Sequence, residues 1–193
     1  VDKDYEFTTV AVGKVEMLEG AAMRYTDGTG IRFYTDVDTD KIDALIAAGY
    51  TVTAGTLISP EDIVGVYDLN YSNYQIGNIS ELIDVTYDFT QGYYTDDITE
   101  PCIVGSIVKI QDHNIARNFI GRGYITVTVG DITKTVYADY KDGNVANNTR
   151  NIQYIAQRIQ NDPNVYPTLE DFKKEIVDKY ASFRLETAEE VKA

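Results

Sequence analysis

The chain has 193 residues and a formal net charge of −14, from 31 acidic and 17 basic side chains, with 44% hydrophobic residues to fill a core. A surface of that sign repels nucleic acid and anionic bilayers, and no Lys/Arg cluster offers a local exception, so neither is expected as a partner. No apolar run approaches the roughly 18 residues of a membrane helix, so no membrane insertion is expected either.

From the N-terminus, Tyr5 to Leu18 reads as one or two strands interrupted at Gly13. Glu19-Gly20 is a turn, Ala21 to Tyr25 a short strand, and Asp27 to Gly30 a loop. Ile31 to Val37 alternates, with Ile31, Phe33, Thr35 and Val37 on one face and Arg32 and Tyr34 on the other. A helix is expected near 39–48. Asp38 or Thr39 can cap it, Ile42, Leu45 and Ile46 form its stripe, and Gly49 can end it. Thr51 to Ile58 is again a strand. The strand–helix–strand order fits a right-handed βαβ crossover, with a Greek key as the alternative. Ser59-Pro60 then opens a short helix with Ser59 as its N-cap. Asp68 to Gly77 reads as an exposed loop, part of Ile79 to Phe89 as a strand, Thr90 to Pro101 as a loop, and Ile103 to Ile110 as a central strand.

The clearest signal follows. Tyr124 to Val129 and Ile132 to Ala138 both alternate, and Gly130-Asp131 joins them as a type II′ hairpin turn. A two-residue loop sets the register: Val129 faces Ile132, Ile125 faces Val136 and Val127 faces Lys134 on an apolar side. Tyr124 faces Tyr137, Thr126 faces Thr135, Thr128 faces Thr133 and Arg122 faces Asp139 on the other. The apolar side should meet the core, and the Tyr/Thr side either solvent or a ligand. A helix near 149–161 carries Ile152, Ile155, Ala156 and Ile159 on one face. After Pro163 and Pro167, Thr168 caps a second helix near 168–183 with Leu169, Phe172, Ile176, Tyr180 and Phe183.

The residues that carry chemistry are sparse. Cys102 is the single cysteine, so no intrachain disulfide can form, and it reads as a small buried hydrophobe. His113 is the single histidine, too few for a Cys/His zinc cluster, and no G-x-S-x-G elbow supports a triad around it. Asp36-Val-Asp38-Thr-Asp40 begins like a calcium loop but has Lys41 where the loop needs Gly and Ala47 where it needs Glu. It reads instead as an acidic helix N-terminus. Asp96, Asp97 and Glu100 are a weaker calcium candidate. Gly28-Thr29-Gly30 lacks the Lys of a phosphate loop. No cofactor is expected. Two tyrosines on a threonine-rich face, Tyr124 and Tyr137, could stack a sugar ring, and Arg32 and Arg122 among strand residues could hold an anionic ligand or tie strand ends. These four are the candidate ligand-binding residues. The sequons at Asn70, Asn78 and Asn147 matter only where the source glycosylates.

Five stretches together resemble a recurring uncharacterised module of secreted and cell-surface proteins of Gram-positive gut bacteria. They are Gly20-Ala-Ala-Met-Arg24, Thr29-Gly-Ile-Arg-Phe33, Gly55-Thr-Leu-Ile-Ser-Pro60, Arg117-Asn-Phe-Ile-Gly-Arg-Gly-Tyr-Ile125, and Arg150-Asn-Ile with Ala156. Asn151 stands where a Ser often follows the Arg. The resemblance implies export and neighbouring domains in a longer chain, and carries over no catalytic residues.

The expectation is an α+β fold, mainly an antiparallel β-sheet or sandwich, with a β-rich module at 1–162 and a C-terminal helix and tail at 163–193 packed on it or tethered to it. The expected function is a non-enzymatic extracellular or cell-surface module that serves adhesion and binds a glycan or another surface protein. A carboxylate-based hydrolase and a ligand-free spacer are the alternatives.

Overall fold

A computed structural model describes residues 12–96, 98–142 and 145–184. The expected strands before residue 12, the tail after 184 and Asp97 lie outside the described residues. The fold is α+β, with two antiparallel four-stranded sheets face to face. In chain order come β1 (Val15–Met17), β2 (Ala22–Arg24), β3 (Gly30–Val37), α1 (Thr39–Ala47) and β4 (Thr51–Pro60). Then follow α2 (Glu61–Val64), α3 (Tyr71–Gln75), β5 (Ile83–Tyr87), β6 (Cys102–Val108), β7 (Phe119–Val129) and β8 (Ile132–Tyr137). A ribbon of β9 (Lys141–Asp142) and β10 (Val145–Ala146) precedes α4 (Ile152–Gln160) and α5 (Asp171–Ala181).

In the first sheet β3 is central, with β1 and β2 along one edge and β6 along the other; in the second the order is β5-β4-β7-β8. Strand β6 is therefore an edge strand rather than a central one. It reads as continuously apolar because Cys102, Ile103 and Gly105 are buried and Tyr94 bridges Cys102 from its outer side. Strands β3 and β4 lie in different sheets, so α1 links sheets and no βαβ crossover forms.

Glycines bring the two sheets close together. A methyl group on Gly121 would meet the Phe33 ring, one on Gly123 would meet the Thr35 side chain, and one on Gly105 would meet the Thr56 side chain. The buried Met17 sulfur fills the same seam, accepting from the Gly123 N–H at 3.0 Å and the Thr35 hydroxyl at 3.2 Å. Phe33, Ile31, Ile58, Ile103 and Ile125 complete a fully buried core. Such packing leaves no room for added atoms, which explains why glycine alternates at 121 and 123 in a strand where it otherwise weakens pairing.

The hairpin forms in the expected register, with Val129 opposite Ile132 and Tyr124 opposite Tyr137, and Gly130 takes a positive φ of 57°. The pairing of Arg122 with Asp139 does not form. After Ala138 the chain crosses to the first sheet, where the Asp139 N–H donates to Val15 O and its carbonyl accepts from Met17 N–H. Strand β4 also runs further than expected. Ser59 is buried within it and its hydroxyl donates to Glu81 O at 2.7 Å, so Ser59 caps nothing and α2 begins at Glu61.

Asp38 does cap α1, accepting from the Lys41 N–H. Of the α1 stripe, Ile42 is fully buried while Ile46 faces out. Asn151 caps α4 through the Tyr154 N–H at 2.7 Å. Asn is among the residues best suited to that position. Helix α5 starts after Glu170 with no side-chain cap. Thr168 sits in a preceding 3-10 turn, so it is not the cap. Helix α5 buries Val177, Tyr180 and Ala181 and leaves Phe172 exposed. It is joined to α4 by Gln157 to Ala181 O and Gln160 to Asp178.

Candidate functional site

The outer face of the β5-β4-β7-β8 sheet has two halves. Toward the hairpin tip lie cross-strand rows, Thr51, Thr128 and Thr133 in one and Thr53, Thr126 and Thr135 in the next. The Thr126–Thr135 and Thr128–Thr133 hydroxyls are each 2.9 Å apart. This half is open. The other half is covered. The segment expected as an exposed loop at 68–77 contains buried Leu69 and the helix α3, capped by Asn70. Tyr71 from α3 lies edge-on to Tyr124 at 5.8 Å between ring centres and close to Tyr137.

Three of the four candidate residues meet here. Tyr124 is 5% exposed and its ring lies over Gly55, where a Cβ would come within 2.6 Å of the phenol oxygen. Its hydroxyl donates to Asp84 at 2.8 Å, and the Tyr71 hydroxyl donates to the same carboxylate. The Tyr137 hydroxyl accepts from the Tyr71 N–H at 3.3 Å. Arg122 donates to Ala138 O and Leu69 O, with its guanidinium over the rings of Tyr137 and Tyr140. Burial, seconded by the Asp84 carboxylate, raises the Tyr71 pKa to about 12. Burial raises Tyr124 as well, with the Tyr71 and Asp84 hydrogen bonds adding to it. Both phenols are held neutral, because a phenolate here would be desolvated and would face a carboxylate. The constellation clamps residues 67–76 to the sheet, and the Tyr124 face is inside it, out of reach of a stacking ligand.

Arg32 lies apart, on the outer face of the first sheet, where it pairs with Tyr94 through the phenol oxygen and stacks on its ring at 4.6 Å. His113 is exposed in a 3-10 turn. Among the described residues no group of three His, Cys, Asp or Glu could hold a metal ion, and no helix is long and apolar enough to cross a membrane.

Sequence reasoning missed an open concavity along α4. Two clefts, of about 640 and 580 Å³, adjoin α4 and share Tyr154 and Arg158 as walls. The first is completed by Gln157, Asn161 and Asn164, and the second by Gly20, Tyr34 and Arg150. Tyr154 is 44% exposed. Arg150 donates to Thr149 O at 2.7 Å and lies 5.8 Å from the Tyr154 ring centre. Arg24 and Arg117 pair with carboxylates, Asp27 and Asp62 respectively. Arg150 and Arg158 form no ion pair among the described residues. The available signal was Tyr154 and Arg158, one helical turn apart on the side away from Ile152 and Ala156, with Arg150 just before the helix begins.

No family model, curated protein or solved structure matches this chain.

Proposed function

We propose that the chain is a non-enzymatic extracellular module of a bacterial surface protein and that it binds a glycan or another surface protein. The observation that carries this reading is the open α4 cleft, where an exposed tyrosine stands among guanidinium and amide groups. Aromatic faces pack on the apolar faces of sugar rings or on partner side chains, and planar polar groups hydrogen-bond around them. The acidic surface and the resemblance of the Gly20–Ala156 stretches to exported modules support the extracellular setting. The polar cluster around Asp84 holds its tyrosines protonated and uses its donors to fasten α3, which is poor preparation for a base or nucleophile.

The spacer alternative draws on one observation: Gly55, Gly121 and Gly123, within the stretches that carry the resemblance, all serve close packing. A glycan array with a pull-down against surface proteins separates the readings. Binding that is retained in Tyr137→Ala and lost in Tyr154→Ala supports the module and its cleft. Binding to no glycan and no surface protein leaves the spacer. Release of reducing ends from a bound polysaccharide would make the chain a hydrolase and sink the proposal.

A further inference from the structure

We infer that the cleft along α4 takes a carboxylate-bearing saccharide, a chain of uronate units, with Arg150 and Arg158 receiving carboxylates and Tyr154 stacking a ring between them. The inference rests on the binding-module reading and names its ligand class. Its first support is the state of the arginines. In a chain of net charge −14, Arg117 is bound at both ends by Asp62 and Arg122 donates to backbone carbonyls. Arg150 and Arg158 keep guanidinium donors without a carboxylate among the described residues. Such a planar fork matches a carboxylate in two parallel hydrogen bonds.

The second support is preorganisation. Arg150 lies against Gly20, where an added Cβ would stand 3.3 Å from its terminal nitrogen, and Thr149 O fixes the other side of the guanidinium. A side chain already held gives up less entropy on binding. The third is spacing. Tyr154 and Arg158 are one helical turn apart, about 6 Å along the axis, so a ring on the tyrosine puts its substituents near the arginine. The amide nitrogens of Gln157 and Asn161 are bonded to Ala181 O and Gln157 O, which leaves their side-chain oxygens to accept from ring hydroxyls.

Glu19 and Asp162 are the carboxylates along the two clefts, and Asp162 already accepts from the Asn164 N–H. The overall negative charge does not decide the matter, since physiological salt screens exposed charges beyond about 8 Å and the two guanidiniums act inside that distance. A neutral sugar would offer the forks only hydroxyl oxygens, without the charge or the two-oxygen match of a carboxylate. An acidic peptide would use the forks but has no ring face built into its backbone for Tyr154 to stack.

The test is calorimetry of the whole chain with an oligogalacturonate and with its methyl ester. Inorganic phosphate and an acidic peptide serve as competitors, and the variants are Arg158→Gln, Tyr154→Ala and, as an outside control, Tyr137→Ala. Arg158→Gln lies on an exposed position, and a thermal melt checks that each variant is folded. The expected result is binding of the oligogalacturonate, weakened about tenfold or more by esterification and by Arg158→Gln, and unchanged in Tyr137→Ala. Equal competition by phosphate or peptide would overturn the saccharide assignment. Binding that ignores Arg158→Gln and Tyr154→Ala, or a preference for neutral glycans, would overturn the inference and leave the binding module standing. A chain that binds no glycan and no surface protein would remove both.

Discussion

Tyr124 with Arg122 and Tyr154 with Arg158 are the same pair of residue types in opposite conditions. Tyr124 is buried against Gly55 and bonded to Asp84, and Arg122 is held by two carbonyls. Tyr154 is 44% exposed, and no carboxylate pairs with Arg158 among the described residues. The first pair uses its hydrogen-bonding capacity within the fold, so truncating it should cost stability. The second keeps that capacity for a ligand, so truncating it should cost binding and little else. An aromatic–arginine pairing is therefore a clamp or a contact surface according to what covers it.

The sharpest way to break this contrast is Tyr124→Ala, which removes a buried ring and one of the two phenol donors to Asp84. A loss of about 3–5 kcal/mol in urea denaturation is expected, the range for large-to-small aromatic changes in a core. A loss near zero would mean that α3 does not rest on the sheet. Gly55→Ala comes next. The new Cβ would stand 2.6 Å from the Tyr124 oxygen and 2.7 Å from Val85 O, so the ring must lift, at about 1–3 kcal/mol by the same measurement.

The pH dependence sharpens the comparison without changing the core. The folded Tyr71 pKa of about 12 lies above the ordinary value of 10.0. A raised folded value means stability that is complete below pH 10 and is lost as pH rises through about 12. Denaturation followed across that window should show the loss, and Tyr71→Phe should reduce it, with Tyr124, also raised, carrying part of the remainder. The smallest effect belongs to Tyr154→Ala, expected within about 0.5 kcal/mol of the parent stability by thermal melt, as for an ordinary surface position.

Much of the fold was legible, and for local reasons. The hairpin, its II′ turn and its register follow from strict alternation around Gly130-Asp131, since a one-residue slip would turn Ile125 and Val127 to water. The buried stripe of α4 follows from helix periodicity, and capping chemistry narrowed the α1 cap to Asp38 or Thr39, of which the fold uses Asp38. Three features were not legible. The separation of β3 and β4 into different sheets depends on which faces meet across the core, and an intervening helix is compatible with either arrangement. The burial of Leu69 and the ordering of α3 come from contacts with Tyr124, Tyr137 and Tyr140, whose residues are distant in the chain. The end of the hairpin at Tyr137 reflects competition, in which Asp139 bonds β1 instead of facing Arg122.

For the candidate residues, alternation placed Tyr124, Tyr137 and Arg122 on one outward face, and the fold brings those three together. It sets Arg32 on the other sheet, beside Tyr94. Alternation could not say that another segment lies over that face. Nor could it say that the concave, open tyrosine would be Tyr154, because a cleft exists only between elements that the chain connects late.

The amino-acid order by itself determined the α+β class and the hairpin with its inward and outward faces. Those are settled by backbone conformation and by the two- and 3.6-residue periods of neighbouring side chains. Only the tertiary structure decided which outward residues are covered and which meet solvent. Coverage is set by packing between segments far apart in sequence, and that packing made a clamp of Tyr124 and left Tyr154 open beside two arginines that form no ion pair among the described residues.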